Sequence, residues 1–163
     1  MKILESVTPI PHELDESTLI VIPTFQEQEN ITVLMGQIGQ IVPDAHVLVV
    51  DDRSPDGTAE AVRSYRRQRP DATIELIVRD GERGLGHAYR AGMAYGLEHG
   101  YALIITMDAD GSHSPLHLPA MLAAIVDADV VIGSRYTIDG GTINWRIRRI
   151  LLSWLANRFA RSL

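Results

Sequence analysis

Apolar and polar positions follow two rhythms along this chain: short unbroken apolar runs, and longer stretches with an apolar residue every three or four positions. The runs at 18–23 (TLIVIP), 46–50 (HVLVV), 73–78, 101–107 and 129–132 (DVVI) predict five strands, because unbroken apolarity over a few residues marks strands buried on both faces. Between them, 27–41 sets Ile31, Leu34, Ile38 and Ile41 at helical spacing. Glu27 and Glu29 stand in its first turn, where acids suit a helix N-terminus. Residues 58–69 predict an exposed, arginine-rich helix. A helix over 86–99 carries Ala88, Ala91, Gly92, Ala94 and Gly96, small residues suited to close packing; helices over 116–126 and 144–161 complete the set. Strand–helix alternation of this kind predicts an α/β fold, a mostly parallel sheet with helices on both faces. Residues 1–17 mix proline with acids and keep no period, so they are expected to form a poorly ordered extension. Residues 18–163 then make one domain, with no internal repeat and no low-complexity linker.

The polar segments of interest all fall at the carboxyl ends of predicted strands: PTFQE, DDRSPDGT, DADGSH and GSR. Open α/β sheets bind ligands at that rim. The segment 104–115, IITMDADGSHSP, carries the sharpest chemistry. Asp108 and Asp110 are one residue apart, and in an extended segment residues i and i+2 point to the same side. About 4 Å apart, two like charges repel by roughly 4 kcal/mol at an effective dielectric of about 20. A hard divalent cation with oxygen ligands would relieve this, and Ser112 offers a third oxygen. The plain alternative is a pair of turn aspartates capping the helix after Pro115. Asp51-Asp52 ends the second strand; one of the two can accept hydrogen bonds from a base or ribose, while Asp56-Gly57-Thr58 reads as a turn and helix cap. Arg135, after Gly133-Ser134, is a fixed cation able to neutralise a leaving diphosphate, or a surface ion-pair partner.

Several rival motifs fail on their own residues. SPDGT departs from the D-x-D-G-T loop of aspartate-based phosphatases, since Ser54 stands where the nucleophilic carboxylate belongs. Gly81-Glu82-Arg83-Gly84-Leu85-Gly86 is G-x-x-G-x-G and not a dinucleotide fingerprint; packing or a lid suits its glycines better than a pyrophosphate cradle. A calcium loop would put glycine at His113 and glutamate at Pro119. His113 and His117 have no third nitrogen ligand for zinc, and His113 is expected to bond within its loop. G-x-S-x-G is absent.

Composition narrows the class. The 163 residues, 45% apolar and 22% charged, suit a soluble globular protein. With no cysteine there is no disulfide framework or thiolate site. The start lacks a signal peptide's apolar core and no apolar run approaches membrane-spanning length, so the chain is expected not to cross a membrane by itself. The net charge is −6, yet residues 143–163 carry five arginines and no acid, which leaves −11 on residues 1–142. So acidic a body argues against general nucleic-acid binding. In the basic end, Ile147, Ile150, Leu151, Trp154, Leu155 and Phe159 share a helix face flanked by arginines. Such a helix suits a membrane interface, or packs its stripe on the sheet or on a further segment.

Taken in order, IPTFQEQENI, VLVVDDRSPDGT, RGLGHAYRAGM, MDADGSHSP and IGSRY resemble glycosyltransferase family 2, and within it the polyprenol (dolichol) phosphate mannose synthases. The resemblance runs from about residue 18 to the end. It implies a GT-A fold, Rossmann-like, and an inverting, metal-dependent transfer of mannose from GDP-mannose to a polyprenyl phosphate. A UDP-glucose donor and a non-catalytic nucleotide-sugar-binding module are the alternatives. By the same resemblance Pro23, Phe25, Glu27, Val50 and Asp52 match nucleoside-binding positions, Phe25 standing where tyrosine is usual. Asp108, Ala109, Asp110 and Ser112 match the metal and sugar-nucleotide loop, with Asp108, Asp110 and Ser112 on Mg²⁺ or Mn²⁺. Arg135 is implied on the diphosphate, and Asp110 and Arg135 carry catalysis. The implied location is cytoplasmic, peripheral on the cytoplasmic face of a membrane, with the basic helix on its surface. In the family, the segment matching WRIRRILLSWLANRFARSL is followed by a D-x-T-S/A-G-[FY]-R stretch and further helices that help close the acceptor site. The sequence reaches Leu163 without them and is expected to be truncated on that side.

Overall fold

The computed structural model of the chain describes residues 17–134 and 147–160. The chain divides into two compact units, Met1–Asp129 and Val130–Leu163. In the first, β1 (Thr18–Thr24), β2 (His46–Asp51), β3 (Ile74–Val78) and β4 (Leu103–Thr106) form one parallel sheet in the order β3-β2-β1-β4. Helices α1 (Gln28–Ile41), α2 (Thr58–Gln68) and α3 (Leu85–Glu98) connect successive strands. α4 (Leu118–Ala124) follows β4, between 3-10 turns at Pro115–His117 and Ile125–Asp127. The described part of the second unit includes α5 (Ile147–Ala160). The expected α/β architecture is thus present, and the four strands and five helices fall within a few residues of their expected limits.

The fifth expected strand, at 129–132, is not formed. Val130 and Ile132 are 72% and 80% exposed, whereas a strand of that composition needs a neighbour to pair with and cover on both faces. Apolarity alone does not supply either. The expected extension at 1–17 lies outside the described residues except for Ser17.

Alternation along the two central strands sends side chains to opposite layers. Ile20 and Ile22 of β1 and Val47 and Val49 of β2 join Ile31, Leu34, Met35 and Ile38 of α1, Val62 of α2 and Leu118 and Leu122 of α4. Leu19, Val21, Leu48 and Val50 face the other way, onto α3 through Ala88, Tyr89, Ala91 and Tyr95. α3 lies close on the sheet because Gly92 and Gly96 sit over it. A Cβ on Gly92 would collide with Val21 Cγ1, and one on Gly96 would come within 2.6 Å of Ile104 Cδ1.

The strand order opens a crevice. From β1 the chain steps outward to β2 and β3, then returns to put β4 on the other side of β1, which makes the β1–β4 boundary the switch point where ligands bind in such sheets. The β1–β2 register continues to Thr24↔Asp51, but β1–β4 stops at Val21↔Thr106. Val21 O still accepts from the Met107 N–H at 3.1 Å. Pro23, two residues on and so turned to the same side, has no N–H with which to extend that ladder.

Overpacking a core costs about 1–3 kcal/mol, more than the roughly 1 kcal/mol of helix propensity that alanine returns over glycine. Gly92→Ala is therefore expected to lower the urea midpoint. Gly39→Ala, on the exposed face of α1 with nothing within 4 Å of the new methyl, is expected to raise it. Equal shifts in the two variants would contradict this packing.

Candidate active site

The acids at the rim hold different stations. Asp51 is wholly buried; its Oδ1 accepts from Thr24 Oγ1 at 2.9 Å and Ser54 Oγ at 2.6 Å, and its Oδ2 from the Ser54 N–H at 2.8 Å. Ser54 Oγ in turn accepts from the Gln26 N–H at 2.9 Å. Asp51 thus ties the loop after β1 to the loop after β2. Asp56 adds a second tie: it accepts from the Gln28 N–H at 3.1 Å, at the start of α1, and from the Thr58 N–H and hydroxyl at 3.0 and 2.6 Å, at the start of α2. The turn-and-cap reading of Asp56-Gly57-Thr58 holds, and Gly57, at φ +94°, supplies a left-handed turn that side chains resist. The Thr58 hydroxyl, with the two N–H donors, holds the Asp56 carboxyl below the ordinary 3.8.

Asp52, also buried, faces a third loop. The Arg79 guanidinium donates to its Oδ1, and the Gly84 N–H to its Oδ2 at 2.8 Å, while the other Arg79 nitrogen donates to Glu82 O at 3.0 Å. Gly84 adopts φ +152°, and neither it nor Gly86 has an atom within 4 Å of a built Cβ. Of the packing or lid role expected for the glycines of 81–86, packing is thus absent at Gly84 and Gly86, and Gly84 serves its backbone conformation; the close packing expected of Gly92 and Gly96 is present. From the same loop, Arg83 lays its guanidinium carbon 4.7 Å from the centre of the Phe25 ring, a cation–π contact. Phe25 remains 42% exposed. Glu27 stands at the start of α1, where its Oε2 accepts from Asn30 Nδ2 at 2.8 Å and its N–H donates to Thr58 Oγ1 at 3.0 Å. Pro23 and Val50 are cross-strand partners with buried side chains.

Across the crevice, Ala109 turns into the core while Asp108 and Asp110 on either side of it do not. That is the alternation expected of the D-x-D. Asp108 Oδ1 accepts from the Tyr89 phenol at 2.7 Å, and the Asp108 N–H donates to His113 Nδ1 at 3.0 Å, the within-loop role expected for that histidine. Asp110 Oδ1 accepts from the Ser112 N–H at 2.9 Å. The Ser112 side chain and N–H hold the Asp110 carboxyl below the ordinary carboxylate value, so it is ionised at neutral pH. Two carboxylates beside a hydroxyl are a donor set suited to Mg²⁺ or Mn²⁺, which complete their shells with water or ligand oxygens. Among the described residues no group of three or more His, Cys, Asp or Glu side chains is placed to hold a metal ion. Arg135 lies outside the described residues. The contacts from Tyr89, Arg79 and Arg83 were not legible in the motifs; the one signal was a tyrosine set among the small residues of the third helix.

The glycosyl transferase family 2 model matches residues 19–162. The chain belongs to glycosyl transferase family 2. Among its family 2 relatives, the polyprenol monophosphomannose synthase of Mycolicibacterium smegmatis is 44% identical over 150 residues, covering 91% of this chain and 56% of the relative. The undecaprenyl-phosphate mannosyltransferase of Micrococcus luteus is 43% identical over 143 residues, covering 88% and 58%. The chain therefore spans a little over half the length of these relatives. Among solved structures, the mannosyltransferase PcManGT from Pyrobaculum calidifontis, in complex with GDP-Man and Mn²⁺, superposes with a TM-score of 0.60 at 23% identity, over 73% of this chain and 36% of that one. That likeness establishes the GT-A type of fold for this family 2 member.

Losing a side-chain acceptor for the first N–H groups of a helix costs about 1 kcal/mol, and Asp56, though the N-cap residue of neither, accepts from the first N–H of two helices. Because its folded value is depressed, its stabilisation is present above the ordinary 3.8 and is lost as pH falls through the lower folded value. Asp56→Ala is expected to destabilise the chain by about 1–2 kcal/mol at pH 7, with the gap from wild type narrowing below pH 3.8. Urea titrations at several pH values read both; identical curves at pH 7 would remove the clamp from the account.

Proposed function

We propose that this chain is the donor-binding part of a metal-dependent, inverting glycosyltransferase that moves mannose from GDP-mannose to a polyprenyl phosphate. One observation carries the reading: Asp108 and Asp110 flank a core alanine at the sheet's switch point, in a chain 43–44% identical to polyprenyl-phosphate mannosyltransferases. Asp108 and Asp110, with Ser112 beside them, would hold Mg²⁺ or Mn²⁺. When bound, the ion offsets the negative charge that gathers on the departing diphosphate. Ala109 seats the loop between the two carboxylates. Pro23, Phe25, Glu27, Val50 and Asp52 form the nucleoside side of the site: Phe25 supplies an exposed ring, and each Asp52 oxygen keeps a further acceptor position beside its present donor. Val50 contributes through packing beneath. Arg135 adds a fixed cation on the diphosphate. The acceptor phosphate is already anionic at neutral pH, so the reaction needs no strong general base. Its attack opposite the leaving group inverts the anomeric carbon.

A polyprenyl acceptor is anchored in lipid, and α5 has the character to meet it. Leu152, Trp154, Leu155 and Phe159 are exposed, and the Arg158 guanidinium sits over the Trp154 ring at 5.9 Å. A helix with exposed tryptophan, leucine and arginine suits a bilayer surface. No helix among the described residues is long and apolar enough to cross one. We assign α5 a peripheral role at the cytoplasmic face of a membrane.

Thermal unfolding tests the donor site. Ligand at about 100 times its dissociation constant adds about 2.7 kcal/mol, roughly 5–10 °C for a domain of this size. Mn²⁺ with GDP-mannose is expected to give that shift and Asp110→Asn to abolish it, with UDP-glucose and NAD inert. A shift with UDP-glucose alone would reassign the donor; no shift with either sugar nucleotide would refute the site. A blue shift of tryptophan emission on anionic vesicles is the expected sign of α5 docking, and unchanged emission would remove that role.

A further inference from the structure

The two carboxylates of the D-A-D segment are anchored differently. Asp110 is held from within its own loop, by Ser112. Asp108 is held from outside it: Tyr89 stands on α3, and its phenol donates to Asp108 Oδ1 at 2.7 Å. The ring of Tyr89 packs with Leu19, Val21, Leu48 and Val50 in the core beneath α3, so the hydroxyl is fixed by rigid structure. A phenol keeps its proton at neutral pH, so the hydroxyl is the donor in this bond. On the opposite side His113 Nδ1 accepts from the Asp108 N–H, which leaves the ring proton on Nε2, 3.9 Å from Asp108 Oδ2. Oδ1 already accepts from the phenol, while the His113 ring stands beyond hydrogen-bond distance of Oδ2, so Oδ2 is the more open of the two oxygens to a cation.

We infer that Tyr89 is a positioning residue for the metal site, its hydroxyl fixing Asp108 so that one carboxylate oxygen is turned toward a divalent ion. The inference rests on the metal-dependent reading given above. Outer partners that orient a metal ligand typically change affinity about 10–100-fold when removed. Tyr89 acts through Asp108 and needs no contact with the ion.

The test is Mn²⁺ titration in the presence of GDP, read by the paramagnetic resonance of free Mn²⁺, on wild type, Tyr89→Phe, Asp108→Asn and the double variant. GDP binding without metal is measured by calorimetry on the same proteins. Tyr89→Phe keeps the ring and its packing. It is expected to weaken Mn²⁺ about 10-fold or more while metal-free GDP binding is unchanged. In the Asp108→Asn background the same substitution is expected to add no further loss. Wild-type Mn²⁺ affinity in Tyr89→Phe would overturn the inference and leave the metal reading standing. Equal weakening of Mn²⁺ and metal-free GDP would also overturn it, by assigning Tyr89 to the fold. If wild type itself binds no Mn²⁺ with GDP, the metal reading fails and the inference goes with it.

Discussion

A carboxylate with no access to water is tolerable only when its oxygens are fully engaged, and the architecture of this rim depends on Asp51 meeting that condition. An unpaired charge there would be prohibitively costly. Hydrogen bonds from Thr24 and Ser54 make it stable, and each comes from a segment that must be in its native place. The end of β1, the end of β2 and the turn into α2 are therefore fixed as one body. On that body the neighbouring aspartates can be held at defined orientations, because loops on a parallel sheet have no ladder of their own to set them.

The division between adjacent residues follows from strand geometry. Asp51 and Asp52 are neighbours, so their side chains leave the chain in opposite directions. One enters the β1–β2 junction; the other meets Arg79 and Gly84 from the loop beyond β3. Removing Arg79 would leave Asp52 a buried, unpaired charge, the costly half of a broken ion pair. The same loop carries Arg83 onto Phe25. Three consecutive strand ends thus converge on one side of the crevice, and the D-A-D loop lies on the other.

Much of this was legible in the sequence because it is local. The unbroken apolar strands, the helical spacing of Ile31, Leu34 and Ile38, and the gathering of polar motifs at strand ends need only neighbours within a turn or a pleat. The alternation that turns Ala109 inward between two acids is local too. What was not legible depends on partners far along the chain. Nothing near Asp51 and Asp52 says that the first turns to Thr24, 27 positions back, and the second to Arg79, 27 positions on. Tyr89 reads as one more helix residue until α3 is laid beside a loop 19 positions on. The run at 129–132 has strand composition, but composition does not provide the neighbour a strand requires.

The close seating of α3 has a consequence beyond the core. Gly92 lies one turn from Tyr89, and its missing methyl sets how near the helix axis comes to the sheet. The reach of a tyrosine is fixed, so the same clearance sets where its oxygen arrives at the rim. A bulkier residue at this point in the interior would be felt at the surface as a phenol drawn away from Asp108. Gly92 therefore acts as a gauge block: the tolerance of the site is cut into the packing of the layer beneath it, and neither can drift in evolution without the other.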